Sequence, residues 1–187
     1  MTDIRLARPV DRDRLVATVV AAFDQDPAFR AFFGRGPDFA DLAVRFAGSL
    51  LDRRIHTETV WMTDDGDALA MWDPPVGSVE VPASTLDLPV DAMARLDDYD
   101  DQVHAAMTTD PHWYLGILAS HPSRRGEGLA RRVAGPGLAA AAAGGVPAVL
   151  ETTNPDNVAL YERSGWEITA TLTDVIGLDV WVMQHLG

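Results

Sequence analysis

The spacing of apolar residues changes along the chain, and each change predicts an element. Ile4 to Ala7 alternates apolar and polar positions, the repeat of a strand. From Asp11 onward Leu15, Val16, Val19, Val20 and Phe23 fall on one helical face, and Asp11 stands where a helix cap belongs. Phe39, Leu42, Ala43, Phe46 and Leu50 predict a further helix. Thr59 to Thr63 and Ala68 to Trp72 are short apolar runs on either side of Asp64-Asp65-Gly66-Asp67, the pattern of a hairpin. Asp73-Pro74-Pro75-Val76-Gly77 interrupts the chain. Val90 to Met107 then predicts a helix through Met93, Leu96, Val103 and Met107.

The second half is more regular. Trp113 to Ala119 is nearly all apolar, as in a strand buried on both faces. A polar loop from Ser120 to Gly126 leads into an alanine-rich helix that stops at Gly144-Gly145. Ala148 to Leu150 predicts a second buried strand, closed by Glu151. Asn154-Pro155 is a cap followed by proline in the first helical turn, and Gly165 marks the end of that helix. Trp166 to Leu172 and Val180 to Met183 predict final strands. Strands alternating with helices in this order define an α/β protein with a mixed sheet.

Composition narrows the chemistry. The 187 residues are 47% hydrophobic, which suits one domain spanning 1–187. There is no cysteine, so disulfides, thiolate zinc sites and a thiol nucleophile are excluded. All 15 basic residues are arginine. Without lysine there is no Schiff base and no phosphate-binding P-loop lysine. The net charge of −13 opposes general nucleic-acid binding and favours a cationic partner. Residues 87–110 hold seven Asp against Arg95, so this segment is a candidate attractor for such a partner. The longest bland stretch, Leu138 to Ala143, is far too short to span a membrane, and Met1 to Arg5 has no apolar signal core. A cytoplasmic protein is the expectation.

Ser123-Arg124-Arg125-Gly126-Glu127-Gly128-Leu129-Ala130 carries the clearest chemistry. It joins a buried strand to a helix. Two glycines expose backbone N–H groups, and the helix start adds partial positive charge, which together make a phosphate cradle without lysine. A tight turn with surface arginines is the plainer alternative. A dinucleotide site is a third: Gly126-x-Gly128 begins the fingerprint, and Glu151 lies 23 residues beyond Gly128. Against it, Arg131 stands at the third glycine position, and six residues separate the strand from Gly126.

Arg125-Gly126-Glu127-Gly128-Leu129-Ala130 matches the Arg/Gln-x-x-Gly-x-Gly/Ala pattern of the GNAT acetyltransferase superfamily at every specified position. Leu118-Ala119-Ser120-His121-Pro122 resembles the end of that family's central strand, with Ser120 in place of the usual Val. Asn157-Val158-Ala159-Leu160-Tyr161-Glu162-Arg163-Ser164-Gly165-Trp166 resembles its second signature, with Trp166 in place of Phe. Val60 to Gly66, Ala70-Met71-Trp72, Gly135-Pro136-Gly137 and Gly145 to Thr152 resemble the puromycin N-acetyltransferase group in particular. The likeness covers most of the chain and is weak from about 74 to 110.

The resemblance implies a GNAT fold: a mixed central sheet with a splayed pair of parallel strands, flanked by helices. It implies an N-acetyltransferase that passes an acetyl group from acetyl-CoA directly to the primary amine of a small molecule, such as an aminoacyl antibiotic or related metabolite. No metal is called for, and a homodimer is compatible. By resemblance, Leu118, Ala119 and Ser120 would meet the pantetheine amides. Arg124, Arg125, Gly126, Glu127, Gly128, Leu129 and Ala130 would cradle the pyrophosphate. Asn157 and Arg163 complete the cofactor side. Charge agrees: residues 111–163 sum to +1 and the remainder to −14. Tyr161 is the candidate general acid for the leaving thiolate. Glu151 is a candidate to accept the amine proton or hold the ammonium group, or else a structural carboxylate paired to an arginine. His112 is a candidate relay by residue type, and both it and His121 are also ordinary strand-end or loop positions. Two other functions stay open: a non-catalytic acyl-CoA-binding module, and acetylation of a protein or peptide amine.

Overall fold

The computed structural model describes residues 3–80 and 86–186. In chain order it contains β1 (Ile4–Leu6), α1 (Arg12–Ala22), α2 (Pro27–Phe33), α3 (Phe39–His56), β2 (Val60–Thr63), β3 (Ala68–Asp73), α4 (Val90–Ala106), β4 (Trp113–Ser120), α5 (Leu129–Gly144), β5 (Ala148–Thr152), α6 (Pro155–Glu162), β6 (Glu167–Val175) and β7 (Leu178–His185). The strands lie side by side in the order β1-β2-β3-β4-β5-β7-β6. Every neighbouring pair is antiparallel except β4 and β5. The mixed α/β sheet predicted from the sequence is therefore present.

Alternation along each strand divides the core between the two faces of the sheet. Leu69 and Met71 of β3 join the cluster built with α1, α2, α3 and α4, while Ala68, Ala70 and Trp72 face α5. On β4, Trp113 and Leu115 belong to the α5 side, yet Ile117 and Ala119 belong to the other. Residues of one parity change face because Gly116 is an extra residue: Met71 pairs with Ile117, and Trp72 with Leu115. This is a β-bulge, which bends its strand. A Cβ at Gly116 would lie 2.8 Å from Arg54 Nη2 and 3.2 Å from Tyr114 Cε1, so a larger residue there requires neighbours to move.

Pairing between β4 and β5 is confined to Trp113 with Ala148 and Tyr114 with Val149. Beyond these residues the strands diverge and leave a notch. α5 closes the opposite face through Leu129, Val133, Ala134 and Ala141. Its Gly137 lies so close to the Trp72 indole that a Cβ would fall 2.2 Å from a ring carbon. The Gly135-Pro136-Gly137 run thus has a packing reason in this fold.

Two local expectations are corrected. Asp11 precedes α1, but its side chain does not cap that helix; it accepts two 2.7 Å bonds from Arg5 and a 2.8 Å bond from the Arg8 amide. A bidentate guanidinium is a stronger partner than a helix N–H. The second concerns α2, which the apolar spacing did not announce. Its seven residues bury Phe29, Phe32 and Phe33, and Asp26 caps it by accepting from the Phe29 amide at 3.1 Å.

Candidate functional site

The loop after β4 builds the first half of the site. Gly126 and Gly128 adopt φ of 86° and 70°, the left-handed region that favours glycine. Open space surrounds the Cβ positions of both. Gly128 precedes α5 and supplies no side-chain cap, so the first N–H groups of the helix remain turned outward. This is the geometry of an anion cradle.

The two arginines of the loop differ. Arg124 reaches Glu127 at 2.7 and 2.9 Å, Asp67 at 2.6 Å and Asp65 at 3.1 Å. Its pKa is raised by the hydrogen bonds to Glu127, Asp65 and Asp67. Asp65 and Asp67 lie in the β2–β3 turn, so Arg124 ties that hairpin to the phosphate loop. Arg125 is exposed and makes no ion pair among the described residues. Its guanidinium remains available to an anion.

The notch opens into a cavity of about 580 Å³. Gly116 and Leu118 from β4, Glu151 from β5, and Asn157 and Tyr161 from α6 all line it. Ala119 is not part of the lining; it is buried in the core cluster on the α1–α4 side of the sheet. Ser120 ends β4 with its Oγ buried and without a partner. Arg163 follows α6 on the exposed surface, away from the cavity lining.

Glu151 is the most perturbed carboxylate of the cavity. Burial raises its pKa from 4.5 to about 7, and Asp100 adds to the rise. Tyr114 opposes it by donating to Oε1 at 2.9 Å. Oε2 is shielded from solvent and has no partner. The structure replaces the alternative of an arginine-paired carboxylate with a tyrosine-bonded one. Tyr161 keeps its phenol protonated at neutral pH, because burial and the nearby Glu151 charge raise its pKa. Its ring packs edge-on against Trp166 at 5.9 Å. The second signature therefore supplies both the phenol and the ring that holds it.

Of the two histidines singled out above, His112 lines the cavity, with Nδ1 2.8 Å from the Asp110 carbonyl. His121 Nδ1 instead engages Ser123 Oγ at 2.7 Å and the Ser123 amide at 3.3 Å, which makes it part of the turn. Residues that sequence reasoning did not single out complete the walls. Asp26 precedes α2, Tyr99 and His104 come from α4, and Tyr114 comes from β4. His104 Nδ1 lies 2.7 Å from the Asp100 carbonyl, and its ring centre is 6.0 Å from that of Tyr114. Arg53 and Arg54 also line the cavity and share Asp73, at 3.1 and 2.5 Å. Within the acidic segment 87–110, Asp100 lines the cavity, while Asp91, Asp97, Asp98 and Asp101 do not. Among the described residues no cluster of His, Cys, Asp or Glu is arranged to hold a metal, and no helix is long and apolar enough to cross a membrane.

A splayed parallel pair, a glycine cradle at a helix start, and a buried acid and phenol in one notch define an acyl-transfer architecture. The model of the acetyltransferase (GNAT) family matches residues 54–166. The chain belongs to the GNAT acetyltransferase family, a family of acyltransferases. Solved structures agree on the fold. The histone acetyltransferase HPA2 and related acetyltransferase from Corynebacterium glutamicum is 22% identical over 98% of this chain and 96% of its own, with a TM-score of 0.70. The polyamine N-acetyltransferase of Drosophila melanogaster is 13% identical over the full length of both chains, with a TM-score of 0.74. The C-terminal condensation domain of Ebony, solved with beta-alanyl-dopamine, is 10% identical over 98% of this chain and 99% of its own, with a TM-score of 0.71.

Proposed function

We propose that this chain, as one domain over 1–187, transfers the acetyl group of acetyl-CoA directly to the primary amine of a small molecule. The observation that carries the reading is the meeting of Glu151 and Tyr161 in one cavity at the β4/β5 notch. Glu151, with a pKa of about 7, is basic enough to take a proton from an ammonium ion at neutral pH. The freed amine nitrogen attacks the thioester carbonyl, whose oxygen is polarised by a backbone N–H of β4. The C–S bond then breaks, the Tyr161 hydroxyl protonates the departing thiolate, and the surplus proton on the new amide nitrogen returns to the phenolate, while Glu151 releases its proton to solvent.

The cofactor reading rests on this chain's own residues. The amides from Arg125 to Ala130 and the unpaired Arg125 suit the pyrophosphate, while Leu118 and Asn157 stand on either side of the notch for the pantetheine arm. Arg124 positions the loop through its carboxylate partners. Glu127, bonded to Arg124, contributes its backbone. Arg163 lies outside the cavity and would meet only the exposed end of the cofactor. The likeness to the puromycin N-acetyltransferase group is the reason to include aminoacyl amines among the acceptors.

Thiol release from acetyl-CoA, measured across a panel of primary amines, tests the reading. Amine-dependent release with a matching acetylated product is expected. Thermal stabilisation by CoA without release from any small amine or peptide would instead favour a non-catalytic acyl-CoA-binding module.

A further inference from the structure

Among the described residues, three carboxylates of the cavity have no ionic partner, while a fourth, Asp73, takes both of its arginines. Asp11, Asp24, Asp52, Asp67 and Asp73 each make an arginine pair. Asp26, Asp100 and Glu151 line the cavity from the start of α2, from α4 and from β5. None of these three makes an ion pair among the described residues. The arginines of the cavity are drawn to Asp73 instead. Glu151 adds a shielded Oε2 without a partner. Such a site favours a bound cation.

Aromatic residues share the cavity with these acids. Phe23, Phe29, Phe32, Phe46 and Tyr99 line the same cavity. Their rings brace one another: Phe23 and Phe29 are 4.6 Å apart, Phe29 and Phe46 5.5 Å, and Phe32 and Tyr99 5.1 Å. A wall of this kind stabilises an apolar body by burial and ring contact, and an extended polar chain gains little from it. Asp26 stands between Phe23 and Phe29 in sequence and lines the cavity with both. Its charge acts on both the Tyr99 and Tyr161 phenols, so it lies within electrostatic reach of the candidate acid.

Resting on the acetyltransferase reading above, we propose that the acceptor is a monocationic primary amine with an aromatic body, and that Asp26 is the residue that selects its ammonium group. The rings hold the body, Asp26 attracts the charged head, and Glu151 removes the proton. Linear polyamines and peptide N-termini are the competing acceptors that this arrangement disfavours.

Asp26→Asn tests the assignment cleanly. Asn caps a helix as well as Asp does, so α2 keeps its N-cap while the charge is lost. The wild type is assayed with acetyl-CoA and 2-phenylethylamine, 1,4-diaminobutane or a short peptide with a free N-terminus. The expected result is kcat/KM at least about tenfold higher for 2-phenylethylamine than for either rival. Asp26→Asn is expected to raise KM for 2-phenylethylamine by about tenfold or more, with KM for acetyl-CoA and the melting temperature little changed. A preference for the diamine or the peptide, or an unchanged amine KM in the variant, overturns this proposal and leaves acetyl transfer standing. Thiol release with none of the amines overturns the acetyltransferase reading and this proposal with it.

Discussion

Replacing Glu151 with Gln should make the protein more stable and less active, and the stability gain should depend on pH. The glutamine retains an oxygen for the Tyr114 hydroxyl, so the 2.9 Å bond has a counterpart in the variant. What disappears is the ionisation of a shielded carboxyl. Its pKa is 4.5 when unfolded and about 7 when folded. Between these values the unfolded chain has released the proton and the folded protein still holds it. Stability therefore falls as pH rises through this window and levels off above it. The fall amounts to roughly 3 kcal/mol, because a tenfold change in proton affinity is worth about 1.4 kcal/mol. For a domain of this size that corresponds to about 6–12 °C in Tm. Thermal unfolding of the CoA-free wild type and Glu151→Gln from pH 4.5 to 8.5 reads the effect. The two Tm curves should nearly meet at the acid end, separate towards pH 7 with the variant higher, and then run parallel. In the same variant, amine kcat/KM should fall by about 10²–10⁴. Tm curves that stay parallel across the whole range would refute the raised pKa, and unchanged kcat/KM would remove Glu151 from proton transfer.

Three further outcomes follow from the geometry. Tyr161→Phe should lower kcat by about 10²-fold or more while leaving acetyl-CoA binding nearly intact; unchanged kcat with chemistry rate-limiting would exclude the phenol as the acid. Arg125→Ala should raise the acetyl-CoA KM in a salt-dependent way, and Arg124→Ala should also lower Tm because it releases Asp65, Asp67 and Glu127; equal Tm for the two variants would count against the difference between them. Gly137→Ala should destabilise by about 1–3 kcal/mol by forcing a methyl into the Trp72 indole, and a neutral result by denaturant unfolding would show that α5 can shift to make room.

The sequence was most legible where chemistry is written in the backbone. The cradle at Gly126 and Gly128 needs small residues at a fixed spacing after a strand, and that constraint survives without knowledge of the fold. Glu151 stood out as an acid closing an apolar run, and Tyr161 through the signature around it. Asp26, Tyr99 and His104 carried no such mark, and Asp100 was marked only as one of the seven Asp of 87–110. Asp26 reads as an ordinary cap, and the α4 residues read as one side of a polar helix. Their relevance comes from tertiary placement, which brings α2 and α4 over the β4/β5 notch. The bulge was hidden for a different reason: a strand apolar on both faces shows no alternation, so an extra residue leaves no break in the pattern. An isolated glycine within it, Gly116, was the sole local sign. The seven residues of α2 span only two turns, too few for a period to emerge.

The bulge at Gly116 also sets a rule for insertions and deletions. Removing that one residue would restore uninterrupted parity along β4. With Trp72 opposite Leu115, Met71 would still pair with Ile117, and Ile117, Leu118 and Ala119 would keep their present faces, so what is lost is the bend. Removing a loop residue such as Gly77 moves no strand side chain across the sheet. One-residue deletions scanned through β4 should thus be tolerated by position rather than by size. The smallest side chain in the strand is the one whose loss leaves both hydrophobic layers in place and straightens β4, narrowing the gap into which the acceptor must fit.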